Sequence, residues 1–129
     1  MQIEWQGETL KFDRELIDVQ QAYVIKTFTA SHGHGPNGLG LLAFHEGTRE
    51  LDPACIQLLY WIIQAQNGKQ IDVDSVNLPI EKFADAVGMA RVREMEANGW
   101  KFINGEWVGP DPTQGADVTT PEPTTTSGD

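Results

Sequence analysis

The segment from Asp52 to Gly68, DPACIQLLYWIIQAQNG, most constrains what this chain can fold into, because it spells one complete helix that is apolar nearly all the way round. Asp52 can cap the first turn, Pro53 takes the first helical position where its missing N–H costs nothing, and Asn67-Gly68 supply a left-handed stop. Between those ends Ile56, Leu58, Leu59, Tyr60, Trp61, Ile62 and Ile63 leave no polar face, so the helix must be covered on several sides. In a chain of 129 residues, another chain is one source of that cover. Gln57, Gln64 and Gln66 interrupt the run, which is also shorter than the roughly 20 residues of a membrane span, so a buried helix of a soluble protein is expected.

The flanking sequence places smaller elements around this helix. Residues 3–5 and 9–12 alternate polar and apolar about Gln6-Gly7-Glu8, the pattern of a short hairpin with one covered face. Asp13 then reads as the cap of a first helix whose apolar stripe, Leu16, Ile17, Val19, Val24, Ile25 and Phe28, runs to about Ala30. The SHGHGPNG segment, 31–38, breaks that helix and predicts a mobile loop. A short helix is expected over 39–47, loop or weak strand over 69–78, and a helix from Pro79 toward Asn98-Gly99 with a kink at Gly88. Asn104-Gly105 between WKFI and EWV is a strong signal for a type I′ hairpin. Trp100 and Trp107 flank that turn, a placement that suits stapling a hairpin to a helical core better than a platform for sugars or bases. The expected fold is therefore mainly α: a small helical domain over 1–109 with hairpins near both ends, and a disordered, acidic Pro/Thr-rich tail over 110–129.

Chemistry is sparse. Nine Lys and Arg against nineteen Asp and Glu give a net charge of −10, which disfavours nucleic acid and anionic membranes as partners. Asp111, Asp117, Glu122 and Asp129 fall in the tail, so the body carries fifteen acids and nine bases, an ordinary solubilising excess. His32 and His34 are tempting metal ligands, but His45 and Cys55 stand at no recognisable spacing from them, and two solvated loop histidines are the simpler reading. Cys55 has no internal disulfide partner and reads as a small core residue. Gly33, Gly35, Gly38 and Gly40 lack the Lys-Ser/Thr of a phosphate loop, and Ser31 beside His32 has no orienting group or oxyanion site. Asp72 and Asp74 lack the Gly and distal Glu of a calcium loop, while Glu94 and Glu96 fall on different faces of a helix. No catalytic, cofactor or metal site is expected, and no enzyme. The opening Met1-Gln2-Ile3-Glu4 lacks the basic and apolar regions of a signal peptide, which points to the cytoplasm.

The order of these elements carries a resemblance. A strand pair ending in an Asp-capped helix (WQGETLKFDRELIDVQQAYVIKTFT), a Gly-rich break, a short LLAFHEG helix and the DPACIQLLYWIIQAQNG helix before a polar linker resemble the tail assembly chaperones of long-tailed bacteriophages, especially the actinobacteriophage type. In that family a helix of the form D-P-x-A-x-x-x-L-x-W-I precedes a polar loop, and the resemblance covers roughly residues 3–85. It implies a helical protein of the host cytoplasm that coats and solubilises the tape-measure protein while the tail is built, with self-association along the client and, in many relatives, a longer form made by frameshifting. An apolar groove would receive an amphipathic client helix. Phe28, Leu42, Phe44, Leu59, Tyr60, Trp61 and Ile63 are its candidate lining. The competing expectation is a virion structural or head–tail connecting protein. A small acidic inhibitor fits less well, because Lys and Arg are interspersed with the acids. Polar substitution at a client-facing position is expected to abolish binding with helical content unchanged by circular dichroism, whereas loss of helical content would mark that residue as core.

Overall fold

The structure, a computed structural model, describes residues 1–110, so the tail expected over 110–129 lies outside the described residues from 111 on. The fold is mainly α, with four helices and two antiparallel hairpins among the described residues. The chain divides into two units, Met1–Ala90 and the residues from Arg91 onward.

Strands β1 (Gln2–Trp5) and β2 (Glu8–Lys11) pair with Ile3 opposite Leu10 and Trp5 opposite Glu8. That register leaves a two-residue turn in which Gln6 and Gly7 both take positive φ, 50° and 81°, matching the twist of the strands. Alternation turns Ile3, Trp5 and Leu10 to one buried face, continued by Phe12.

The first helix departs from the expected boundary. Asp13 caps only a 3₁₀ turn, Arg14–Leu16, and helix α1 runs Val19–Ala30 behind a second cap. There Asp18 accepts from the Gln21 N–H at 2.8 Å and the Gln21 side chain accepts from the Asp18 N–H at 3.2 Å. This reciprocal box satisfies two of the otherwise orphaned donors and fixes the start of α1. Ile25 and Phe28 bury one face of α1.

Helix α2 (Leu41–Arg49) turns Phe44 and Gly47 inward. It is closed by Leu51 at φ 61°, a left-handed cap that strains a side chain with a Cβ. The Asp52 N–H donates to the Gly47 carbonyl at 2.9 Å, so Asp52 both ends α2 and begins α3 (Pro53–Gln66).

Helix α3 has the ends its sequence predicts. Asp52 accepts from the Cys55 N–H, Pro53 opens the first turn, and Gly68 at φ 81° lets the Lys69 N–H reach the Gln64 carbonyl at 2.9 Å. Its cover comes from its own chain: α1, α2, β2 and a 3₁₀ turn at Val73–Ser75 all pack on it. Ala54, Cys55, Ile56, Leu58, Leu59, Ile62 and Ile63 are buried. Each fully buried large aliphatic side chain contributes about 1.5–3 kcal/mol. The polar side chains of α3 pin passing segments. Asn67 both donates to and accepts from the Lys11 backbone, and Gln66 does the same with Asp13, all between 2.8 and 3.0 Å. Gln57 donates to the Val73 carbonyl and the Trp61 indole N–H to the Ile71 carbonyl, which lays the linker along the helix. Gln64 is 3% exposed, and its side-chain carbonyl has no hydrogen-bond partner among the described residues.

Helix α4 (Ile80–Ala97) continues through Gly88 and ends at Gly99, φ 91°. In the first unit its Phe83 meets Trp5 and Tyr60 edge-on, with ring centroids 5.1 and 5.4 Å apart. In the second unit β3 (Lys101–Ile103) and β4 (Glu106–Val108) form the expected hairpin across Asn104-Gly105, and Phe102 meets Trp107 edge-on. No helix among the described residues is long and apolar enough to cross a membrane.

Gly47 marks a close crossing of α2 on α3, since a Cβ there would overlap the Cys55 sulfur. Gly47→Ala is expected to destabilise by about 1–3 kcal/mol, and adding Cys55→Ala should recover part of that loss, read from urea midpoints. Additive costs in the double variant would contradict the crossing.

Candidate functional site

The seven residues expected to line a client groove separate by burial. Phe28, Phe44, Leu59 and Ile63 lie in the core, at 6%, 0%, 6% and 0% exposure. Tyr60 and Trp61 are half-buried, their rings spent on Phe83 and on the linker at Ile71. Leu42, in the first turn of α2, is 81% exposed and is the member of the set with open surface.

The structure exposes three apolar residues on and before α1, of which Leu16 and Val19 were expected in the apolar stripe. Leu16, Val19 and Tyr23 are 65%, 67% and 64% exposed. Val19 and Tyr23 stand four apart and so share the outer face of α1. Leu16 was counted with Ile25 and Phe28 in one stripe, but the second cap at Asp18 ends that phase. Leu16 sits in a separate turn, and α1 begins with Val19 pointing outward. The Asp18-to-Gln21 spacing was the available signal.

A second constellation joins the Gly-rich loop to α3. The His34 Nε2–H donates to Asp52 Oδ1 at 3.0 Å, while Asp52 Oδ2 accepts from the Cys55 N–H at 3.1 Å. Donor atoms of His34, Asp52 and Cys55 all lie within 4.8 Å of one another, so these residues would hold a metal if one bound here. The fold thus brings Cys55 beside His34, although no recognisable spacing in the sequence links them. His32 is also engaged, with its ring stacked on Phe28 at 3.9 Å and Nδ1 2.6 Å from the Phe28 carbonyl. Burial, and then the neighbouring Asp52 carboxylate, push the Cys55 thiol up to about 12, which keeps it protonated and a poor nucleophile. Burial would raise the Asp52 carboxyl, but hydrogen bonds from Cys55 and His34 outweigh it and hold Asp52 below its ordinary 3.8. The three residues therefore work as a latch. The loop is further held where Gly38, at φ 63°, passes so close to the Lys26 carbonyl that a Cβ would overlap it, and where the Leu39 N–H donates to the buried Thr29 hydroxyl at 2.8 Å. What was expected to be a mobile loop is tied at His34 and again at Gly38-Leu39.

An open groove of about 360 Å³ lies between the N-terminal hairpin and the 3₁₀ turn, lined by Phe12, Asp13, Leu16 and Gln66 among others. Met1, Gln2 and Lys11 complete its lining. No known family, curated protein or solved structure matches the chain.

The latch has a pH signature. Because the folded pKa of Asp52 is depressed, its contribution is fully present above 3.8 and is lost as pH falls through the lower folded value. Asp52→Asn, which retains a capping oxygen, should flatten the loss of stability as pH falls below 3.8. Asp52→Ala should also cost about 0.5–2 kcal/mol near neutrality. A urea-midpoint profile in Asp52→Asn identical to the wild type would contradict this assignment.

Proposed function

We propose that this chain is a phage tail assembly chaperone that binds and solubilises the tape-measure protein during tail morphogenesis, working in the host cytoplasm and self-associating along its client. The observation that carries the reading is the element order. A hairpin, a capped helix, a Gly-rich break, a short helix and the Pro-started apolar helix follow one another in the order on which the resemblance rests. The distribution of apolar surface is consistent with it. The chain buries its most apolar helix itself, yet leaves Leu16, Val19, Tyr23 and Leu42 among its exposed large apolar residues, and covering such residues with an amphipathic helix needs no reactive group. A long helical client with many such segments would bind several copies, and weak individual sites would add through effective concentration.

Co-expression with the tape-measure protein encoded nearby tests the proposal. The expected result is a higher soluble fraction of that protein, its capture by the tagged chain in complexes holding several copies of the latter, and absence of the chain from purified particles. Presence in particles at fixed copy number, with no effect on solubility, would contradict the chaperone reading and favour a structural or head–tail connecting part.

A further inference from the structure

We infer that His34, Asp52 and Cys55 form a zinc-binding site that clips the Gly-rich loop to the N-terminus of α3. The inference is independent of the chaperone reading, since it involves neither a client nor a surface that meets one. Three observations carry it.

The first is the donor set. An imidazole, a carboxylate and a thiol converge from two separate segments, and their ligand atoms all lie within 4.8 Å of one another. Mixed nitrogen, oxygen and sulfur donors suit zinc, whereas calcium and magnesium take oxygen ligands.

The second is geometry. His34 Nε2 stands 3.0 Å from Asp52 Oδ1. A tetrahedral zinc ion, with bonds of about 2.0–2.3 Å, sets its ligand atoms roughly 3.4–3.6 Å apart, so relative shifts of about 1 Å bring the three donors to it. The ligands are also held from behind. Asp52 Oδ2 accepts from the Cys55 N–H at 3.1 Å, the kind of outer bond that orients a ligating carboxylate, and the His34 N–H donates to the Thr29 carbonyl at 3.1 Å.

The third is access. Cys55 is fully buried and lies against Gly47, while the His34 and Asp52 side chains are 27% and 26% exposed. The sulfur thus forms the floor of the site and the other two donors its solvent side, which gives an ion a path inward and leaves the fourth position to a water molecule. On binding, the Cys55 S–H bond breaks, its proton passes to water and the sulfur electron pair goes to zinc, one proton leaving per ion bound. The charge of the dication offsets the carboxylate and the burial that otherwise keep the proton on sulfur. The unfolded chain does not assemble the three donors, so the bound ion stabilises the fold.

The test titrates the full chain, stripped of metal with a chelator, with Co(II) followed by absorption, and then with Zn(II) in competition. The expected result is a single Co(II) per chain showing a sulfur-to-cobalt charge-transfer band and the strong visible bands of a tetrahedral site, its displacement by Zn(II), and a urea midpoint that rises with zinc. Cys55→Ser should abolish the charge-transfer band, His34→Gln should weaken Co(II) binding at least tenfold, and His45→Gln, outside the group, should bind as the wild type does. Circular dichroism checks the fold of each variant, and His34→Gln, at a partly exposed position, keeps the test decisive if Cys55→Ser fails to fold. Absence of the charge-transfer band in the wild type, its retention in folded Cys55→Ser, wild-type binding by His34→Gln, or an equal loss with His45→Gln would overturn the site, and each would leave the chaperone reading standing.

Discussion

Everything in the first unit depends on burying one helix that has no polar face. Helix α3 carries most of the core aliphatics, and a chain this short covers it only by wrapping every neighbouring segment around it: the hairpin, α1, α2 and the linker. Among the polar side chains of α3 and its C-cap, Gln57, Gln66, Asn67 and the Trp61 indole hold those segments by their backbones. Such bonds satisfy backbone groups that strand or helix pairing leaves open, so the covering layer is held by apolar contact and hydrogen bonding together.

The N-terminus of α3 concentrates several of these demands on one residue. Asp52 terminates α2 through its N–H, caps α3 with one carboxylate oxygen and receives His34 on the other. One carboxylate thus joins loop, turn and helix, beside a crossing so tight that Gly47 faces Cys55. The strained left-handed Leu51 immediately before it is tolerated because the bonds on either side fix the backbone there. Of the two loop histidines, His32 stacks on Phe28 and His34 closes the latch on Asp52.

Much of this was legible in the sequence, for reasons that are local. Asp52-Pro53 and Asn67-Gly68 mark helix ends by capping and backbone stereochemistry alone, and Asn104-Gly105 marks a turn in the same way. Gln6-Gly7 does so less strongly. What was not legible depended on phase and on long-range contact. A second cap at Asp18 shifted the start of α1, turning Val19 outward and stranding Leu16 in its own turn, so these two residues are exposed where the pattern had predicted core. In the other direction, Phe28, Phe44, Leu59 and Ile63 looked like surplus apolar residues only because the cover for α3 is built from segments distant in sequence. The meeting of His34 with Asp52 and Cys55 was likewise invisible, since the intervening residues fold through α2 before returning.

The central claim is that α3 is a closed core element covered by segments of its own chain. Amide hydrogen exchange tests it most directly. The account predicts α3 amides as the slowest to exchange in the chain. Fast exchange across α3, at the rate of the loops, would contradict it.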